Sequence, residues 1–375
     1  MEALMKGRTV VLRKYFEPME IQEYDVPDPE PGAIVGKIRM AGLCGSDLHT
    51  WRGDQINRAL PESGRPMGHE GVADVWGLGQ GVVTDFTGVP LAEGDRIVFS
   101  AVYSCGRCQY CLEGDQNLCA QMRLSYRGAA GEHPYFVNTY SDFVYLPPGH
   151  PVYKVPAELS DKEVVSLNCA MGTVLQGVTV AGLKQGDVVV IQGAGGLGLY
   201  AAAFARDMGA ARVIVIDGQK ARLNLALQVG ADEVIDIGEL TDSADRLERI
   251  MESTAGRGAD LVIELAGLGE LVQEGINMLA RGGTFLEIGN LMQDRGAQIF
   301  PQSLLRRKKI IGSNMYRPAI IPRILNFLSR NHNRWPLGKV ISHEFSLANI
   351  NDAFAESEWQ GRETPVIRSV IVPEM

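Results

Sequence analysis

Four cysteines crowd into one short stretch, Cys105-Gly-Arg-Cys108-Gln-Tyr-Cys111 followed by Cys119. Thiolates at this spacing close a tetrahedral zinc site that shapes the chain and leaves no position open for substrate. Disulfides are the lesser reading for a long chain without an export signal, and an iron–sulfur cluster, which also takes four thiolates, is a minor one. The remaining cysteines, Cys44 and Cys169, lie far from that lobe and from each other, and His69 stands between them in Gly68-His69-Glu70. Two thiolates and an imidazole make a zinc site with one open position. Spacing alone does not join these three, because a buried cysteine is usually a small apolar side chain and a lone histidine usually sits on the surface or is satisfied in the core.

A second chemical signal is Val188–Asp217, VVVIQGAGGLGLYAAAFARDMGAARVIVID. A β-branched run is followed by Gly193-Ala194-Gly195-Gly196-Leu197-Gly198, an alanine-rich stretch at helical spacing, a second β-branched run and an acid. Strand, glycine turn, helix, strand and acid form the dinucleotide-binding unit. The glycines bring the backbone up to a pyrophosphate, and the helix starting near Leu197 offers it unpaired N–H groups and a positive dipole end. Asp217 is placed to accept from both hydroxyls of an adenosine ribose, and its charge repels a 2′-phosphate, so NAD is favoured over NADP. The run Val188–Ala205 carries no charge, but its glycines and its strand–turn–helix pattern speak against a membrane span.

The elements that must position these residues follow two patterns. Up to about residue 155 the chain is β-rich, with short runs at Ile34–Met40, Gly71–Trp76, Arg96–Phe99 and Phe143–Tyr145 broken by proline and glycine turns. Ser160 and Glu163 predict a capping box at a helix start. From Asp187 the pattern alternates: strands at Val188–Ile191, Val213–Ile216, Glu233–Ile235, Leu261–Glu264, Thr284–Ile288 and Lys309–Ile311, and helices at Lys220–Val229, Ala244–Met251 and Glu270–Leu279. Such alternation predicts a parallel, doubly wound α/β sheet covered on both faces. Past Gly312 a helix (Ile321–Ser329) and strand-like pieces ending in Val366–Val372 have no sheet of their own and are expected to return to the first domain. The chain has 375 residues, enough for two full domains. Its net charge of −9 argues against nucleic acid as a partner. Met1–Arg13 has no apolar signal core, so the cytoplasm is the expected compartment, with no membrane partner.

With these motifs together, the chain resembles the zinc-containing medium-chain alcohol dehydrogenases over essentially its whole length. The resemblance is carried by GLCGSDLH (42–49), GHEGV (68–72), GDR (94–96), the four-cysteine lobe and GAGGLG (193–198). It implies a discontinuous GroES-like catalytic domain (1–169, with the zinc lobe at 105–119, and 312–375) and a Rossmann coenzyme domain (170–311). It also implies two zinc ions: a structural one on Cys105, Cys108, Cys111 and Cys119, and a catalytic one on Cys44, His69 and Cys169. The implied reaction is reversible oxidation of an alcohol to an aldehyde or ketone, zinc acidifying the hydroxyl and NAD taking the hydride. Ser46 and His49 match a relay that carries the proton out. Asp47 matches the acceptor that fixes the ring of His69. Glu70 follows a zinc ligand and either approaches the metal or is a buried acid paired with a base such as Arg368. In the cofactor site Arg222 matches a basic residue near the adenosine ribose, Thr173 one near nicotinamide and Arg368 one at the pyrophosphate, where a cross-domain salt bridge is the alternative. Relatives pair the edges of their coenzyme sheets, which implies a homodimer or homotetramer.

Two departures bear on subgroup. Gly45 stands where several alcohol dehydrogenases carry a basic pyrophosphate contact, so faster cofactor release is expected. The CGSD motif is typical of polyol and threonine dehydrogenase relatives, which often lack a cysteine matching Cys169 and use a glutamate matching Glu70; this chain keeps both. A carbonyl reductase, or a polyol or amino-alcohol dehydrogenase, is therefore the runner-up. Arg123, Arg127 and Arg317 are candidates to meet an anionic substrate, and Trp51 and Tyr103 either wall an apolar pocket or pack in the core. A non-catalytic nucleotide-binding scaffold is the reading from another class; retention of the whole open-site set argues against it.

Overall fold

The computed structural model describes residues 5–54, 59–124, 128–289, 296–358 and 364–374. The chain divides into two compact units: Met1–Gly172 with Tyr316–His332 and Ile341–Met375, and Thr173–Met315 with Asn333–Val340. The tail after Gly312 thus serves both units. Helix Ile320–Asn331 and strands His343–Ser346 and Ser369–Val372 belong to the first, while Asn333–Val340 goes to the second. The domain boundaries expected from the sequence do not include that short excursion.

In the first unit the longest strand, Ile34–Gly42, organises a seven-stranded sheet. The order runs Val152–Lys154, Arg96–Phe99, Val72–Leu78, Ile34–Gly42, Ser369–Val372, His343–Ser346, with Phe143–Leu146 also pairing to Ile34–Gly42. Ser369–Val372 joins antiparallel through Val370–Gly42 and Ile371–Ala41, so the end of the chain closes against the strand that leads into Cys44. Only Ser369–Val372 of the expected Val366–Val372 run is strand. A separate sheet of Glu20–Asp25, Lys6–Leu12 and Arg65–Pro66 leads into Gly68 and His69. The buried faces meet in a core that includes Val10, Ile38, Leu48, Ile97, Tyr140, Phe354 and Ile371. A fully buried side chain of this kind stabilises by about 1.5–3 kcal/mol.

The second unit is a six-stranded parallel sheet in the order Glu233–Asp236, Arg212–Asp217, Val188–Gln192, Ala259–Glu264, Leu279–Glu287, Lys309–Gly312. Numbered along the chain this is 3-2-1-4-5-6, the doubly wound order, and the order of connection reverses between Val188–Gln192 and Ala259–Glu264 while all strands stay parallel. Val189, Val190, Ile191, Val213, Ile214 and Val215 are all fully buried, which is why their runs lack the polar alternation of a half-exposed strand. Helices Gly196–Asp207, Lys220–Gln228, Ser243–Ser253 and Glu270–Met278 connect the strands, each within two residues of the expected limits. Leu279–Glu287 begins five residues earlier than expected, because its first residues still follow Ala259 across a register shift. At the expected helix start after Ser160, the Glu163 carboxylate accepts from the Ser160 N–H at 2.9 Å and its hydroxyl at 2.6 Å. No helix among the described residues is long and apolar enough to cross a membrane.

Candidate functional site

Three elements of the first unit bring the first cluster together. Cys44 ends the loop after Ile34–Gly42 and caps helix Gly45–Arg52. His69 follows Arg65–Pro66, and Cys169 lies in a π-helical turn, Leu167–Met171, of the kind that recurs at functional positions. Their donor atoms, with one carboxylate oxygen of Glu70, all lie within 4.8 Å of one another. Cys44 Sγ and Cys169 Sγ are 3.9 Å apart, and His69 Nε2 is 3.2 Å from Cys169 Sγ. Ser46 Oγ lies 3.4 Å from the same imidazole nitrogen.

The surroundings orient these groups. Asp47 Oδ1 is 3.0 Å from His69 Nδ1, which turns Nε2 toward the sulfurs. Asp47 Oδ2 accepts from the Cys44 N–H at 3.0 Å and from the Tyr140 hydroxyl at 2.7 Å. The Tyr140 hydroxyl is itself held well up, by burial first and then by Asp47, and so stays a donor. Burial works against a charge on His69, but the Asp47 carboxylate and Cys44 outweigh it and raise the imidazole well above its ordinary value. Cys44 is lowered well below the ordinary thiol range, chiefly by the hydrogen bond from Cys169 and then by His69. Cys169 is raised for the complementary reason, its bond to Cys44, together with burial. A cation binds such thiols as thiolates and the imidazole through a neutral nitrogen, so binding of a divalent ion here would release protons.

Glu70 is fully buried and paired with Arg368, which is itself buried. Burial raises the Glu70 carboxyl, against the pull of Arg368. Both partners belong to the first unit, so this ion pair is the Glu70–base pairing weighed for Glu70 and not the cross-domain bridge given as the alternative for Arg368. The guanidinium reaches Glu70 through Nη2.

The lobe shows the second sulfur cluster. Cys105–Cys111, Cys108–Cys111, Cys108–Cys119 and Cys105–Cys119 are separated by 4.0, 3.5, 3.8 and 3.6 Å. Four sulfurs at the corners of a tetrahedron around zinc stand about 3.8 Å apart. Backbone N–H groups, those of Cys111 and Ala120 first, hold Cys108 down at about 6, and those of Arg107 and Cys108 lower Cys105. Burial holds Cys119 up at about 11.

In the second unit the glycine turn is built for close approach. Gly193 has φ of 101° and is followed by Gly195 as the N-cap of helix Gly196–Asp207, which includes Leu197. A Cβ on Gly198 would lie 1.9 Å from the Gly193 carbonyl oxygen, so only glycine lets the helix pack on the turn. A Cβ on Gly195 would meet nothing within 4 Å, so the turn is open on that side. The Asp217 carboxylate accepts from the Ala194 N–H at 2.6 Å and the Gln219 N–H at 2.8 Å. Arg222 is half-buried on helix Lys220–Gln228. Thr173 is buried near the start of helix Gly172–Val180.

Other candidates fall elsewhere. Trp51 donates to the Glu17 carbonyl at 3.0 Å and packs its ring on Phe16 and Phe354. Tyr103 is half-buried beside His150. Arg317 Nη1 reaches the Gly114 carbonyl at 3.5 Å. Arg127 and the side chain of Arg123 lie outside the described residues. His49 is 8 % exposed. Sequence reasoning missed its neighbours Arg52, Asp54 and Glu358, and also Tyr140. The first two lie within five residues of His49 and were legible by proximity, whereas Glu358 and Tyr140 are distant in sequence and carried no signal.

The comparisons agree with this architecture. Residues 30–157 match the alcohol dehydrogenase GroES-like domain family and residues 196–330 the zinc-binding dehydrogenase family. A 5-exo-hydroxycamphor dehydrogenase of Pseudomonas putida is 32 % identical over 95 % of this chain and 97 % of its own length. A sorbitol dehydrogenase of Halalkalibacterium halodurans is 29 % identical over 89 % of this chain and 91 % of its own. Among solved structures, an alcohol dehydrogenase of Thermotoga maritima superposes with a TM-score of 0.90 at 30 % identity, over 98 % of this chain and 99 % of that one. A structure from Sinorhizobium meliloti solved with NADP gives 0.83 at 26 % identity, over 98 % and 100 %. The chain belongs to the zinc-containing medium-chain alcohol dehydrogenase family. Its relatives support oxidoreductase action on alcohols or polyols.

Proposed function

We propose that this protein catalyses the reversible, zinc-dependent and NAD-linked oxidation of a primary or secondary alcohol to an aldehyde or ketone. The observation that carries the reading is the convergence of Cys44, His69 and Cys169, with Glu70 behind them, while Asp47 fixes the imidazole. When bound, zinc supplies Lewis acidity to the alcohol oxygen and NAD accepts the hydride. The chain's own residues do the rest. Cys44, His69 and Cys169 would hold the catalytic ion, and Glu70, paired with Arg368, is a further carboxylate whose oxygen lies among their donor atoms. Ser46 lies beside the ligand set and His49 follows on the same helix, so the pair can conduct the released proton outward. Cys105, Cys108, Cys111 and Cys119 hold a second, structural zinc. Gly193, Gly195, Gly196, Leu197 and Gly198 would cradle the pyrophosphate and Asp217 would receive the ribose, with Arg222 matching a basic residue near that ribose and Thr173 one near the nicotinamide.

The hydroxycamphor relative makes a secondary, cyclic alcohol the first substrate to try, and the sorbitol relative a polyol second. The test is NADH formation by the zinc-loaded protein over primary, secondary, cyclic, polyol and amino-alcohols. Turnover confined to one class is expected and fixes the substrate type. Silence across the panel, with two equivalents of zinc and NAD bound, would overturn the reading in favour of a nucleotide-binding scaffold.

A further inference from the structure

A second charged group surrounds His49, and the reading above does not use it. Helix Gly45–Arg52 ends at Gly53, whose φ of 75° turns the chain so that the Asp54 N–H donates back to the His49 carbonyl at 3.0 Å. That turn sets the Asp54 carboxylate against the imidazole: Asp54 Oδ2 is 2.8 Å from His49 Nδ1. Arg52 Nη2 lies 3.0 Å from the same ring nitrogen. The two neighbours make opposite demands, because a carboxylate only accepts and a guanidinium only donates. Nδ1 can satisfy one of them at a time.

The other bonds of Arg52 decide between them. Its side chain is 2 % exposed. Its Nε donates to Asp54 Oδ2 at 2.8 Å, and its Nη1 donates to the Glu358 oxygens at 2.8 and 2.7 Å. The guanidinium is therefore anchored without Nδ1. A lone pair on Nδ1 would instead face the Asp54 oxygen at 2.8 Å in a buried setting, where such repulsion is strong. A proton on Nδ1 removes the conflict.

We propose that Asp54 is a positioning residue that fixes His49 as its Nδ1–H tautomer, leaving the lone pair on Nε2 to receive the proton released in alcohol oxidation, while Arg52 and Glu358 hold Asp54 in place. The inference rests on the alcohol dehydrogenase reading for the fate of that proton. The hydride leaves with NAD, the proton passes to His49 Nε2, and its return to solvent restores the neutral ring. The tautomer itself follows from geometry alone.

The test is imidazole 15N NMR on the zinc-loaded full chain, with the six histidines separated by comparison with His49→Gln. The wild type should show His49 as Nδ1–H. In Asp54→Asn the side-chain amide can turn its NH2 toward Nδ1, and in Asp54→Ala the Arg52 guanidinium becomes the partner. Both variants should move His49 toward Nε2–H, the wrong tautomer for accepting a proton. With an alcohol that the protein oxidises, Asp54→Asn should lower kcat about 10- to 100-fold with little change in KM. In the His49→Gln background the same substitution should cost nothing further. A wild-type ring already Nε2–H, a tautomer indifferent to Asp54, or an undiminished kcat loss in the His49→Gln background would each overturn the proposal. A tautomer that follows Asp54 in a protein that oxidises no alcohol would overturn the alcohol reading and the relay with it, while supporting the assignment of the ring proton.

Discussion

Asp217 is the carboxylate on which the proposed preference for NAD rests. Two backbone donors, from the glycine turn and from the loop after its own strand, fix it in one orientation, so under the proposed function a ribose would meet its remaining lone pairs without reorganisation. A 2′-phosphate brought to the same place meets like charge, which costs several kcal/mol when poorly screened. Asp217→Gly should raise the NADP/NAD ratio of kcat/KM about 10- to 100-fold, equivalent to about 1.4–2.8 kcal/mol. An unchanged ratio would remove Asp217 from the ribose site. Residues of this kind were legible from the sequence because strand, turn, helix and acid follow one another directly. Glu70 was ambiguous for the opposite reason. Whether it meets a metal or a base depends on Arg368, 298 positions away, and only folding brings that guanidinium against it. Removing Arg368 alone would leave a buried carboxylate unpaired, a change that typically costs about 3–5 kcal/mol.

At the scale of the element, the carboxyl edge of the parallel sheet carries two adjacent acids. Glu264 and Glu287 end neighbouring strands in register. Glu264 is fully buried and accepts from the Ala266 and Gly267 N–H groups at 2.8 and 2.7 Å. Burial first, and then Glu287, push its carboxyl up to about 8 from an ordinary value of 4.5. A raised folded value means that Glu264 contributes stability which is fully present below about 4.5 and is lost as pH rises through about 8. The turn it holds matters for the cofactor side of the sheet, because a Cβ on Gly193 would lie 3.0 Å from Ala266 N. Glu264→Gln keeps an acceptor for the two N–H groups and cannot ionise. Its melting temperature should exceed that of the wild type by a few degrees at pH 8.5 and lose that advantage by pH 5, on the usual scale of 2–4 °C per kcal/mol for larger domains (roughly). Parallel melting curves for the two proteins across this range would show that Glu264 does not titrate there. The zinc lobe belongs to the same scale. It leaves Leu112 and Leu118 largely exposed, so its shape rests on the four sulfurs rather than on a core of its own.

For the whole molecule, the end strand Lys309–Gly312 is the feature that bears on assembly. Among the described residues it pairs with Leu279–Glu287 on one side, and it leaves Ile310 40 % and the nearby Leu305 80 % exposed. An apolar end strand is a template for pairing with another chain, and the expected homodimer or homotetramer would cover it. Ile310→Asp should convert the protein to monomer in light scattering at micromolar concentration while leaving its circular dichroism unchanged. An unaltered mass would place the interface elsewhere.

The sequence by itself determined the doubly wound sheet, the glycine turn with its acid, and the four-cysteine lobe. In each of these the groups that act together are close along the chain, so periodicity and spacing are enough to relate them. Spacing could not join Cys44, His69 and Cys169, and only the resemblance suggested that they belong together. Tertiary structure brings their donor atoms within reach, since each stands on a different element and their proximity depends on how the strands and the π-turn pack. It likewise decided that Arg368 pairs with Glu70, that Tyr140 supports Asp47, and that Glu358 anchors Arg52 beside His49. A buried charge must find its partner within the fold, and the chain that supplies the partner can come from anywhere in the sequence.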